Sequence, residues 1–420
     1  MTRHPQLYIG LVSIPRCMAA VAALVAVALF GLIARGRSRC YQWAGGVALL
    51  AHIVFSLAVL PVLPYDWDID LFHEVAVGIL QGGRMSPFSS LDAFGTVQAV
   101  LYAVFGADPT VLSVFNGLVA VLLPLPACYL ASRLYDTAST DAVTVLVLFL
   151  PFPFLFHSLP MRDALSTLLA LVTLAVCVRV LVDRQYPWAA TLPPLWGMVL
   201  LLREELALVI LLGLGGAAIV GALSHLFDRA VRLTSLALSA IPVGIAGFAM
   251  FASLFPVGAL NERLQYRSAG GAAYLDFMRY DSWLDVVLSA PVRAVYFQYA
   301  PFPLHADSAF DLAAVLFSPV LVVLTVTAYR SLRSADTDPL ARALLVVVYC
   351  FGVVGYGLVD SNFGTTIRHR GLFVFLLVIF STPVLASWDR SVRRLVDQTL
   401  YDRRDTEEKQ REAEKLDAGP

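Results

Sequence analysis

Charge is what this sequence has least of. Of 420 residues, only 15% are Asp, Glu, Lys or Arg, while 59% are hydrophobic. A soluble domain carries about a quarter charged residues, so an ordinary soluble protein is excluded. Cysteine is sparse as well. Cys17, Cys40, Cys128, Cys177 and Cys350 lie inside or at the ends of apolar segments and form no CxxC pair. Neither a disulfide framework nor a metal knuckle is therefore indicated. No Asn-x-Ser/Thr sequon and no tandem repeat occurs. The net charge of -1 supplies no basic footprint for nucleic acid.

What is abundant is the apolar run of roughly 20 residues, the length that crosses a bilayer core. The expectation is an all-α polytopic membrane protein. Its eleven spans are read at about 17–34, 43–63, 110–132, 142–158, 164–182, 187–202, 205–223, 233–255, 308–329, 341–359 and 371–388. The shorter 93–107 segment, with Gln98 and Gly106, reads as an interfacial helix. Cys17–Ile33 could pass for a signal peptide. It is followed by Arg35, Arg37 and Arg39 instead of a small-residue cleavage site, so it reads as a retained helix. Residues 1–390 form the membrane domain. The tail at 391–420 is charged, and a solvated helix fraying into disorder is expected there.

Lys and Arg set the orientation. With the loop at 35–41 placed inside, 19 basic residues fall inside and 11 outside, the inner 19 including eight after Trp388. That places the C-terminus in the cytoplasm of a cell-membrane protein. The inner loops are short and arginine-rich. The outer segments are longer and chemically mixed, notably the acidic first loop at 64–92 and the long loop at 256–307. Helical pieces are expected in the latter at about 259–268 and 282–299. Function belongs on that outer face.

Five polar groups converge there. The first is "YDWDIDLFHEVA", with Asp66, Asp68, Asp70, His73 and Glu74 in a nine-residue stretch just after a span. In a helix starting near Asp68, Asp70 and Glu74 share a face. One of Asp66 and Asp68 could simply cap that helix. The chemical reading is a carboxylate that takes a proton from an acceptor hydroxyl. The second is "HSLPMRDAL", where Arg162 and Asp163 follow a tight turn; they suit an anchor or a salt bridge equally. The third is "LLLREELALVILL", with Arg203, Glu204 and Glu205 interrupting an apolar run, where ionisable groups are costly unless paired or facing a polar cavity. Arg203 could bind an anion, with Glu204 or Glu205 orienting it. The fourth is "SNFGTTIRHRGLF", a crowd of Arg368, His369 and Arg370 whose guanidinium forks suit phosphate oxygens. The alternative is pairing with Asp360 or the first-loop acids. The fifth is the aromatic and arginine-rich loop with Arg263, Arg267, Arg279 and Arg293, which a membrane aromatic belt explains as well as sugar stacking does.

The chain resembles the GT-C superfamily of polytopic glycosyltransferases, in particular the family 39 group of protein O-mannosyltransferases and lipid A aminoarabinose transferases. The resemblance is carried by Asp66-Trp67-Asp68-Ile69-Asp70 with "FHEVAVGILQGGRMSPFSSL", by "LYAVFGADPT", by "HSLPMRDAL", and by "GMVLLLREELAL" and "GTTIRHRGLF". It covers roughly residues 43–390. It implies transfer of a sugar from a polyprenyl-phosphate donor to a glycan, lipid or protein acceptor, with inversion, at the outer face. By position Asp66, Asp68 or Asp70 would be the base, with Asp68 and Asp70 favoured. Arg203, Arg368 and Arg370, with His369, would hold the lipid phosphate. His73, Glu74, Arg162, Asp163 and Glu204 would support them. Some members bind a divalent metal at their acids, and carboxylate oxygens would suit one here, so a divalent metal is possible without being predicted. The alternating Asp series, an additional span before the acidic loop and the lack of a soluble C-terminal domain depart from the family pattern. Two rivals use the same residues differently: a polysaccharide polymerase or O-antigen-ligase-like enzyme leaning on the arginines, and a transporter or flippase.

Overall fold

The structure is a computed structural model. It describes residues 13–63, 68–86, 89–136, 140–227, 233–254, 256–268, 272–306 and 308–390. Asp66 and the charged tail at 391–420 lie outside the described residues.

Eighteen α-helices follow one another, and among the described residues there is no strand beyond an isolated bridge between Ala273 and Asn362. α1 (Ser13–Ala34) and α2 (Arg39–Val54) lead into a π turn and a 3-10 turn that end at Val62. The short pair α3 (Ile69–Leu80) and α4 (Ser90–Phe105) comes next. α5 (Pro109–Leu122), α6 (Pro124–Tyr135), α7 (Asp141–Phe149), α8 (Pro151–Ser158) and α9 (Asp163–Leu181) build the centre. After a 3-10 turn come α10 (Leu192–Leu202), α11 (Glu204–Phe227), α12 (Leu233–Leu254), α13 (Val257–Arg267) and α14 (Trp283–Tyr299). The chain closes with α15 (Ala309–Ser334), α16 (Pro339–Val359), α17 (Phe363–His369) and α18 (Gly371–Phe380).

Helix starts follow local chemistry. Asp108 and Asp338 each precede a proline at the first helical position, whose missing N–H costs nothing there. The Asp108 carboxylate accepts from Thr110 N at 2.8 Å, and that of Asp338 from Leu340 N and Ala341 N at 2.9 Å. Pro151 breaks one apolar run, so α7 and α8 meet at 58°.

Among the described residues, seven helices are long and apolar enough to cross a membrane, or nine if the bent pairs α7–α8 and α17–α18 each count as one span. This is an all-α polytopic membrane protein. Eleven spans are not confirmed among the described residues. The segment expected at 187–202 forms a 3-10 turn and the 11-residue α10, short of the ~20 residues a crossing needs. The segment expected at 233–255 is helical as α12 but stands outside that count. The 16-residue α4 is apolar yet too short to span. In the long loop, α13 and α14 take the two helical pieces expected near 259–268 and 282–299.

α18 sits at the middle of the core. All ten of its residues are buried, as a helix apolar on every side requires. Close approach comes from glycine. A Cβ on Gly352 of α16 would meet the Phe373 ring of α18 at 2.0 Å, and one on Gly357 would meet the Arg293 carbonyl oxygen of α14 at 2.8 Å.

The same packing brings polar ends together. The N-termini of α9 and α11, the C-termini of α10 and α16, and α17 share one end of the bundle. Nineteen residues of α9 separate this end from the Arg133–Asp183 pair, 3.2 Å apart, at the other.

Candidate functional site

The charged residues at that end form a continuous chain. Asp163 opens α9 and is 4% exposed. Its carboxylate accepts from Arg203 Nη2, and Arg203, also 4% exposed, is the C-cap of α10. The other fork nitrogen of Arg203, Nη1, bonds His369 Nε2. A guanidinium only donates, so His369 Nε2 must accept. The imidazole is therefore neutral, with its proton on Nδ1, which donates to Asp360 Oδ2 at 2.8 Å. Asp360 is fully buried and takes a second bond, from Arg267 Nη1. Arg267 Nη2 reaches Glu205 Oε1 at 3.0 Å, while Arg263 Nη2 reaches Glu204 Oε1 at 2.9 Å.

In the other direction, Arg368 Nε lies 3.6 Å from Asp163 Oδ2, and its Nη1 donates to Asp68 Oδ2 at 2.8 Å. The acidic first loop is thus tied to the turn before the last span. Asp68 occupies the N-cap position of α3, yet its side chain makes no cap hydrogen bond. Its carboxylate is turned to Arg368 instead, and it stays about half exposed.

Arg162 lies alongside. Its Nη1 donates to Ser90 Oγ at 2.7 Å and to Leu202 O at 3.0 Å, and its guanidinium lies over the Phe72 ring. Burial, with the repulsion of Arg203, lowers its pKa to about 10. Three buried polar atoms around Asp163 have no hydrogen-bond partner: Arg162 Nε, Arg368 Nε and Asp163 Oδ2. Asp163 is thus the shared centre of the arginines at this end.

Other sites from the sequence fall elsewhere. Arg370 does not join the cluster. It is 3% exposed, and its Nε and Nη2 donate to the Phe297 and Ala300 carbonyls at 2.7 and 2.6 Å, closing the end of α14. Glu204 and Glu205 do not orient Arg203; they hold Arg263 and Arg267 of α13, and Asp163 and His369 orient Arg203. Asp70 and Glu74 are exposed on α3. His73 Nδ1 bonds Tyr102 Oη at 2.9 Å, which fastens α3 to α4.

Sequence reading passed over two members of the chain. Asp360 entered it only as a candidate counter-ion, although an acid at the end of a long apolar helix is a signal in its own right. Arg267 was one arginine among several in a loop that an aromatic belt explained. Among the described residues, no three His, Cys, Asp or Glu side chains come close enough to hold a metal ion.

The site therefore offers a half-exposed carboxylate, Asp68, beside a fork of guanidiniums backed by buried carboxylates and a neutral imidazole. Such an arrangement can accept a proton on one side and receive an anion on the other. No protein-family model matches the chain, and no curated protein matches it.

Proposed function

We propose that this protein is a membrane glycosyltransferase that moves a sugar from a polyprenyl-phosphate donor to an acceptor hydroxyl. The observation that carries the reading is the 2.8 Å contact between Arg368 and Asp68, which sets a proton acceptor directly against a phosphate-binding cation. Displacing a lipid phosphate from an anomeric carbon needs both.

The pair also suggests an order of events. Asp68 is half exposed while Arg368 is 11% exposed, so the carboxylate can turn to water and the guanidinium stays in the site. A donor phosphate, with more charge and more acceptor oxygens, takes Arg368 over and releases the Asp68 carboxylate. The freed carboxylate accepts the proton of the acceptor hydroxyl as its oxygen bonds the anomeric carbon. The bond from that carbon to the phosphate oxygen breaks with inversion. Arg368, Arg203 and Arg162 then neutralise the departing polyprenyl phosphate. Asp163, His369 and Asp360 keep these guanidiniums aimed.

The test is transfer of label from polyprenyl-phosphate sugars by membranes containing the wild type, Asp68→Asn or Arg368→Ala. Transfer by the wild type, lost in both variants, is the expected result. Full activity of Asp68→Asn with loss in Arg368→Ala would instead support the ligase-like enzyme that relies on cations alone.

A further inference from the structure

A second feature lies apart from the groups assigned to transfer. Between α10, α11, α12, α13 and α16 is a cavity of about 400 Å³. Its walls are apolar and include Leu212, Phe248 and Phe351. Glu204, Glu205 and Arg263 are its charged lining residues, all at the end where α11 begins. Leu212 is eight residues further along α11, so the apolar part runs on by about 12 Å. Water gains few hydrogen bonds in such a space, and apolar cavities stay dry or take apolar ligands. A hydrocarbon chain satisfies the walls, and its polar head would then lie at the Glu204–Arg263 end.

The charges at that end narrow the head. Arg263 and Glu204 are paired at 2.9 Å, with side chains 36% and 56% exposed, and Arg263 Nη1 also lies 3.9 Å from Glu205 Oε1. Exposed pairs of this kind contribute about 0–1 kcal/mol, so this one opens readily. An anionic head alone would take Arg263 and leave Glu204 without its cation. A cationic head alone would do the reverse. A head carrying both a phosphate and a primary ammonium replaces the Arg263–Glu204 pair with two pairs. The guanidinium fork takes the phosphate and the ammonium hydrogens meet the carboxylate. Glu205 remains held by Arg267 at 3.0 Å throughout.

We propose that this cavity binds a phosphoethanolamine-type lipid, with a chain between α11, α12 and α16, the phosphate on Arg263 and the amine on Glu204. The site does not depend on the transferase reading, and binding can be measured without any sugar donor.

Gly355 provides the test. It lines the cavity, and a Cβ there meets nothing within 4 Å. Gly355→Leu should fill the space and leave the helix packing intact. The full-length protein in detergent is incubated with equal amounts of phosphatidylethanolamine, phosphatidylcholine and phosphatidylglycerol of identical acyl chains. Bound lipid is then counted by intact-complex mass spectrometry. The wild type should retain phosphatidylethanolamine about tenfold over either competitor, and Gly355→Leu should lose about tenfold of that retention with an unchanged melting temperature. Should Gly355→Leu misfold, Arg263→Ala, altered at an exposed position, should lower phosphatidylethanolamine retention several-fold. Equal retention of the three lipids by the wild type overturns the proposal. So does undiminished phosphatidylethanolamine binding in the variants that fold.

Discussion

His369 donates its Nδ1–H to Asp360 Oδ2 at 2.8 Å and keeps Nε2 as an acceptor for Arg203. This one hydrogen bond fixes the imidazole tautomer and so links the two halves of the charged chain. Asp360 also neutralises Arg267, so the buried carboxylate serves a histidine and a guanidinium together. Asp360→Asn would keep an acceptor for His369 but leave Arg267 short of a charge. Breaking a buried pair from one side costs about 3–5 kcal/mol. Asp360→Asn should therefore lower the melting temperature in detergent sharply. Combining it with Arg267→Gln should cost less than the sum of the two single changes, and strict additivity would show that the pair is not coupled.

Arg203 tests the fork itself. Its two terminal nitrogens serve different partners, Asp163 and His369, from one planar group. A lysine keeps the charge but has a single nitrogen on a flexible stem. Arg203→Lys should therefore behave much more like Arg203→Gln than like the wild type, in both thermal stability and sugar transfer. Near-wild-type behaviour of the lysine variant would mean that only the charge matters here.

Arg368 and Arg370 are two residues apart, and the structure gives them different work. Arg370 is spent on the carbonyls that end α14. Arg370→Ala would strand two buried acceptors, each costing about 1–3 kcal/mol. Arg368→Ala gives up contacts to the half-exposed Asp68 and, at 3.6 Å, to the buried Asp163, which keeps Arg203. Folding yield and melting temperature should fall mainly in Arg370→Ala. Loss of transfer by a stably folded protein should be confined to Arg368→Ala. The opposite pattern would reverse the two assignments.

The limits of the sequence follow from the same residues. Apolar runs specify helices directly, and charges that interrupt them mark span ends, so Arg162, Asp163, Arg203, Arg368 and His369 all stood out. Which charge pairs with which depends on how helix ends meet. Asp68 and Arg368 are 300 residues apart, and no spacing rule joins them. Arg370 looked equivalent to Arg368 because neighbours on a helix face different ways, and only packing decides what each one meets. One expected span falls short for a local cause: hydropathy does not register that 187–202 begins as a 3-10 turn holding Pro187, with Pro193 and Pro194 opening α10.

Gly357 shows how the site depends on packing beneath it. A Cβ there would come within 2.8 Å of the Arg293 carbonyl oxygen and 2.9 Å of its carbon, and backbone cannot swing aside. Arg293 is itself fully buried, and its Nη1 reaches Ser361 Oγ at 3.1 Å, next to Asp360. Gly357→Ala should push α14 from α16 at a cost of about 1–3 kcal/mol, the usual penalty of overpacking. Gly355→Ala, two residues away and facing open space, should change the melting temperature little. A comparison of the two alanine variants by thermal unfolding in detergent checks this, and equal destabilisation would refute the close contact between α14 and α16.

The first-loop acids give the sharpest test of the proposed chemistry. Asp68 touches Arg368, whereas Asp70 is exposed in the first turn of α3. A general base contributes about 10²–10⁴-fold. With a labelled polyprenyl-phosphate sugar, Asp68→Asn should lose at least about 10² in transfer rate, and Asp70→Asn should stay within a few-fold of the wild type. Donor binding should survive in Asp68→Asn, because the phosphate would take Arg368 without a competing carboxylate. If Asp70→Asn is the inactive variant, the base is Asp70, and the contact between Asp68 and Arg368 serves only to dock the loop.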